Sequence, residues 1–148
     1  RGELLTHQKD QSVLTLLKME SVIEKDFIEV HPDMSLKDMV GVIARSHRNL
    51  FPVTDSAGQL LGVVLLDDIR NIMFRTDLYR RMHVNRFMSM PPAKVEIGMP
   101  MDKVMKLFDD TRAWNLPVVD DQGRYIGFVS KSKIFSSYRQ VLKHYSFD

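Results

Sequence analysis

The chain has 148 residues, 44% of them hydrophobic and 27% charged, an ordinary globular composition that suits one compact unit or two small interdependent ones. It has no cysteine, which excludes disulfides, thiolate metal sites and cysteine nucleophiles. The net charge is only +2, with no Lys/Arg block long enough to form a stripe, and there is no apolar run long enough to cross a bilayer; both argue against nucleic-acid binding and direct membrane insertion.

The chain opens on Arg1-Gly2-Glu3, with neither an initiator Met nor a signal-peptide pattern, and reads as a piece of something longer. Val13, Leu14, Leu16 and Leu17 predict an amphipathic lead-in. Phe27–Val30 is short and β-rich. Leu36, Met39, Val40, Ile43 and Ala44 then fall at i, i+3, i+4, i+7 and i+8, the stripe of a helix packed on one side. Ser35 followed by Asp38 fits a capping box at its start. A strand is predicted at Leu50–Thr54, and Asp55-Ser56-Ala57-Gly58 reads as a tight turn whose glycine supplies positive φ. Leu60–Leu66 is the hairpin partner, and a helix begins near Asp67.

An Arg-rich linker lies around Thr76–Asn85. After it the pattern returns: a short strand at Lys94–Ile97, then Pro100 in a first helical turn ahead of Met101, Val104, Met105 and Phe108. A strand at Leu116–Val119, the turn Asp120-Asp121-Gln122-Gly123 and a strand at Tyr125–Ser130 follow. The last helix starts near Lys131 and carries Ile134, Tyr138, Val141 and Leu142.

The return has a fixed period. A shift of 65 positions lays Phe51-Pro52-Val53-Thr54-Asp55 on Leu116-Pro117-Val118-Val119-Asp120, and Leu61-Gly62-Val63-Val64 on Ile126-Gly127-Phe128-Val129. No gap is needed from Val30 to Ile134, and the matches cluster on turn glycines and core positions. The fold class is therefore α/β (α+β), two tandem βαββα units behind a helical lead-in. The division is lead-in 1–21, first repeat 22–77, linker 78–85, and second repeat 86–148 with its C-terminal helix. Each unit has one helical layer, too little to cover both faces of its sheet, so the units are expected to pack sheet to sheet.

No catalytic constellation emerges, and the chain reads as a non-enzyme. His7, His31, His47, His83 and His144 are scattered, without metal-ligand spacing. Asp109-Asp110 and Asp120-Asp121 are sequence neighbours that point apart. Met34, Met39, Met99, Met101 and Met105 read as core and interface filling.

Two Pro-Val strands, each with a glycine turn and a Gly-hydrophobic-hydrophobic strand leading into a helix, resemble a CBS-domain pair over roughly Val22 to Val141. Within that family, His47–Val53, Ala113–Val119, Gly127–Ser132 and the lead-in Gly2–His7 are similar to the cytoplasmic tail of bacterial ClC-type chloride channels and antiporters. The resemblance implies a cytoplasmic regulatory module of an integral membrane protein, a homodimer seated against the transmembrane domain of the same chain. A nucleotide-sensing pair regulating another host, such as a metal transporter or a soluble enzyme, is the alternative.

The resemblance also implies an adenine nucleotide (ATP, ADP or AMP) held by Gly-hydrophobic-hydrophobic-(Thr/Ser)-x-x-Asp. Each repeat keeps half of that motif. The first has Asp68 but Leu65 at the hydroxyl position; the second has Ser130 but Lys133 at the acidic position. Leucine cannot bind phosphate, and lysine cannot accept from ribose. Every candidate also has a structural reading. Asp68 can simply favour a helix start, Ser130 can be an N-cap, Trp114 can be packing rather than a platform for adenine, and Lys133 and Arg48 can be solvated.

Overall fold

In the computed structural model, residues 17–146 are described, with side chains to residue 144. Val13, Leu14, Leu16 and the Gly2–His7 stretch lie outside them. The elements in order are α1 (Met19–Val22), α2 (Leu36–Arg45), β1 (Leu50–Thr54), β2 (Leu60–Leu65), α3 (Leu66–Ile69), a 3-10 turn (Thr76–Leu78), α4 (Val84–Phe87), β3 (Val95–Glu96), α5 (Met101–Thr111), β4 (Asn115–Val119), β5 (Tyr125–Ser130) and α6 (Lys131–Ser146).

The two units match in detail. β1 pairs antiparallel with β2, β4 pairs antiparallel with β5, and each pairing has its irregularity at the same place, Val53/Thr54 and Val118/Val119. β3 adds parallel to β4. Its counterpart, expected over Phe27–Val30, is reduced to one parallel bridge between Val30 and Val53, closed by two backbone bonds of 2.9 Å. Gly58 and Gly123 hold φ of 85° and 82° in the hairpin turns, where a side chain would be strained. Asp55 and Asp120 each accept two backbone N–H bonds across those turns at 2.9 Å.

Ser35 caps α2 by accepting from the Asp38 N–H. The buried line of α2 is Leu36, Met39 and Val42, with Ile43 half-buried; Ala44 is exposed, so the helix is rotated from the predicted stripe. Pro100 is the N-cap of α5 rather than its first helical residue. The helix expected from Asp67 is only α3, four residues running into turns.

The 65-residue period reaches further back than the strands. α1 and α4 are counterparts, and each packs on the other repeat. Met19 and Val22 are buried with Val104, Phe108, Val118 and Ile134 of the second repeat, whereas Val84 joins Met39, Phe51, Val53 and Ile69 of the first. The chain beyond each helix crosses as well. Glu24 exchanges two backbone bonds with Phe128 (2.8 and 2.9 Å), and Ser89 does the same with Val63 (both 2.8 Å). Gln59 and Arg124, themselves counterparts, bridge each other at a pseudo-two-fold axis.

These crossings explain a second pair of glycines. A Cβ on Gly62 would lie 2.8 Å from the Ser89 carbonyl oxygen, and one on Gly127 would lie 2.6 Å from that of Glu24. Only glycine leaves room for the incoming backbone. A third apolar cluster, Phe27, Leu50, Val63 and Phe128, joins the repeats; the Phe27 and Phe128 rings meet tilted at 47° with centroids 4.6 Å apart. The repeats thus meet through this cluster, and each unit's sheet edge is completed by the other's leading segment.

Candidate functional site

Two clefts open where a strand runs into a helix, one per repeat. In the first, β2 passes into α3 and the Leu66 N–H bonds to the Asn49 carbonyl (2.9 Å). In the second, β5 passes into α6 and the Lys131 N–H bonds to the Trp114 carbonyl (3.0 Å). Residues 49 and 114, like 66 and 131, are counterparts. The duplication has built one site twice.

The first cleft has a volume of about 400 Å³ and a largely apolar wall. The crossing segment Ser89–Pro92 forms one side, and Ala113, Trp114, Asn115 and Pro117 of the second repeat form the other. Three exposed large hydrophobic side chains meet there: Trp114 at 71%, Met90 at 67% and Leu65 at 38% exposure. Asp67 lines the cleft with its carboxylate bonded to Arg70 (2.6 Å). Asp68 is exposed on the next residue of α3 and is not among the lining residues. Among the described residues no cation lines this cleft; two reach its lining side chains, Arg70 through Asp67 and Lys131, whose Nζ sits 5.4 Å from the centroid of the Trp114 ring.

The second cleft, about 510 Å³, is polar. Arg48, Lys133 and Arg139 line it with Glu24, Ser130, Ser132 and Ser136. Ser130 is the N-cap of α6, its Oγ accepting from the Lys133 N–H at 3.0 Å. Its hydroxyl also lies 3.4 Å from Glu24 Oε1. Arg48 is engaged: it donates to both carboxylate oxygens of Asp26 and to Glu24 Oε2 (3.3 Å), and its guanidinium lies 4.2 Å from the Phe27 ring centroid. It latches the crossing segment to the loop before β1. Its guanidinium holds the Asp26 carboxyl below the usual carboxylate range.

The five candidates read from the sequence are thus divided. Arg48, Ser130 and Lys133 share the second cleft, Trp114 stands in the first, and Asp68 stands beside the first on α3. Asn115 lines both. Leu65, Met90, Asn115, Ser132 and Arg139 went unselected. For Met90 a signal existed: it lies in a segment 65 residues after the one holding Glu24. Among the described residues no group of three His, Asp or Glu side chains is placed to hold a metal, and no helix is long and apolar enough to cross a membrane.

The architecture defines a class: a tandem βαββα pair with exchanged leading segments and paired clefts at the strand–helix junctions. The CBS domain family profile matches residues 19–75 and 84–139, and the chain belongs to that family. It is 25% identical over 135 residues to a CBS domain-containing protein of Dictyostelium discoideum, covering 84% of this chain and 93% of the relative. It is 25% identical over 118 residues to the inosine-5'-monophosphate dehydrogenase of Methanocaldococcus jannaschii, covering 80% of this chain but only 23% of the dehydrogenase.

Among solved structures, a CBS domain protein of Streptococcus pneumoniae superposes with a TM-score of 0.76 at 17% identity, over 93% of this chain and 97% of the other. The CBS domain of a bacterial CNNM/CorC family Mg2+ transporter gives 0.73 at 15% identity, over 88% and 79%. CBSX2, a CBS-pair protein of Arabidopsis thaliana solved in complex with AMP, gives 0.69 at 22% identity, over 83% and 96%. At these identities the likeness concerns the fold.

Proposed function

We propose that this CBS pair is a non-catalytic regulatory module whose first cleft takes an adenine nucleotide. The observation that carries the reading is the exposed Trp114 ring standing with Leu65 and Met90 over an apolar cleft, next to a helix start bearing Asp67 and Asp68. A planar base gains by covering that surface and stacking on the indole. Asp68 accepts from the ribose hydroxyls, since it has no ion pair or side-chain hydrogen bond among the described residues, whereas Asp67 is committed to Arg70. With no cation in this cleft, AMP is favoured over ATP. The AMP complex of a protein with the same fold supports this ligand class. The second cleft has a lysine in place of the ribose-binding acid, and Lys133, Arg139 and the helix start suit an anion without a nucleoside.

The test is calorimetric titration of ATP, ADP and AMP into the parent, Trp114→Ala, Asp68→Ala and Asp67→Ala proteins. Affinity should fall about tenfold or more in the first two variants and little in the third. Equal affinity in the parent and Asp68→Ala removes the ribose assignment, and no heat in any of them removes the nucleotide.

The host we propose is a ClC-type transport protein, the module lying on its cytoplasmic face as a homodimer. Support comes from the three stretches His47–Val53, Ala113–Val119 and Gly127–Ser132, and from the CBS domain of a membrane transporter among the solved structures of this fold. Light scattering should give twice the 17.2 kDa chain mass; a monomer at high concentration contradicts the dimer.

A further inference from the structure

The stretch that leads from the first repeat into the second lines neither cleft, and it is strongly basic. Residues 70–86 hold Arg70, Arg75, Arg80, Arg81 and Arg86 against one acid, Asp77, a net of +4 where the whole chain carries +2. The fold gathers part of this charge. The Tyr79 hydroxyl donates to the Met73 carbonyl (3.0 Å), and the Tyr79 carbonyl accepts from the Lys37 N–H (3.2 Å). Residues 73–75, 79–81 and 37 therefore come together at one end of the first repeat.

Lys37, Arg75, Arg80 and Arg81 are all exposed there, and Phe74, at 77%, is the most exposed large hydrophobic side chain among the described residues. Of these only Arg75 is neutralised, by Asp77 at 3.0 and 2.7 Å; Asp77 also feels Arg81, but Arg80 and Arg81 form no ion pair among the described residues. A solvated phenyl ring beside Arg80 and Arg81 contributes nothing to the buried core of the described residues.

We infer that this corner docks on an anionic lipid surface, with Phe74 entering the headgroup region and Lys37, Arg80 and Arg81 meeting lipid phosphates and carboxylates. Charge complementarity commits it to an anionic surface. The ring favours a bilayer over a purely polar polyanion, because it removes apolar surface from water only where there is an apolar layer to enter. The patch is also too short to follow a nucleic-acid backbone. Docking here needs no transmembrane segment and leaves both clefts open, so it stands apart from the nucleotide reading.

Vesicle co-sedimentation tests it. The parent chain should bind phosphatidylcholine vesicles containing phosphatidylserine and not phosphatidylcholine alone. Raising KCl from about 0.1 M to about 1 M, which shortens the screening length from about 10 to about 3 Å, should release it. Each arginine near an anionic surface is worth about fivefold in partitioning, so Arg80→Gln/Arg81→Gln should weaken binding by about 25-fold. Phe74→Ser, at an exposed site that leaves the fold intact by thermal melt, should weaken it several-fold. No binding to the anionic vesicles overturns the inference, as does equal binding to neutral ones. Binding that is insensitive to Phe74→Ser and transferred in full to DNA or polyglutamate points to another polyanion and overturns it too.

Discussion

The close approach at Gly127 can be tested by adding one methyl group. An alanine there brings its Cβ to 2.6 Å from the Glu24 carbonyl oxygen and 3.0 Å from Ile23 Cγ1. The oxygen belongs to a backbone bonded in both directions to Phe128, at 2.8 and 2.9 Å, so it cannot retreat without loosening that bridge. Two hydrogen bonds at about 1 kcal/mol each, with a strain of about 1 kcal/mol or more, make the cost of Gly127→Ala roughly 2–4 kcal/mol. For a chain of this size that is a fall in Tm of roughly 6–12 °C. Gly41, inside α2 with nothing within 4 Å of an added Cβ, is the control. Gly41→Ala should gain about 0.5–1 kcal/mol from helix propensity alone. Thermal and urea melts followed by circular dichroism read both. A Gly127→Ala protein as stable as the parent would refute the exchanged-segment packing.

Two further outcomes follow from local geometry. Arg112 ends α5 at φ 58°, ψ 21°, a left-handed conformation that costs a non-glycine residue about 1 kcal/mol; Arg112→Gly should raise the unfolding free energy by about that amount, read as a higher urea midpoint at an unchanged slope. Asp26 titrates below its usual value of 3.8 because Arg48 bonds it, so its stabilisation is present above about pH 4 and lost as the pH falls through the lowered folded value. Arg48→Gln should therefore be less stable than the parent near neutrality, the two converging in acid; a constant gap down to pH 2 contradicts the latch.

Much of this was legible because the chain says it twice. The strands Leu50–Thr54 and Tyr125–Ser130, the turn glycines Gly58 and Gly123, and the burial of Met39, Met101, Val104 and Phe108 all follow from local pattern and period. The exchange of leading segments was not legible. Met19–Val22 and Val84–Phe87 are single helical turns, too short for periodicity to declare, and the pairing of Glu24 with Phe128 spans more than a hundred residues. The site divided along the same line. Ser130, Lys133 and Asp68 were visible as motif positions, while Met90 enters the first cleft only through the crossing. Arg48 was selected for its charge, and its work is holding Asp26 and Glu24.

Trp114 is the only tryptophan of the chain, exposed at 71% in the wall of the first cleft, so its emission reports on that cleft alone. Titrating AMP against its fluorescence, with inorganic phosphate in a parallel arm, tests the central claim most directly. AMP should give a saturable change, phosphate none, and Asp68→Ala a curve displaced to higher AMP. An emission that stays flat through saturating AMP, or that responds equally to phosphate, would contradict it.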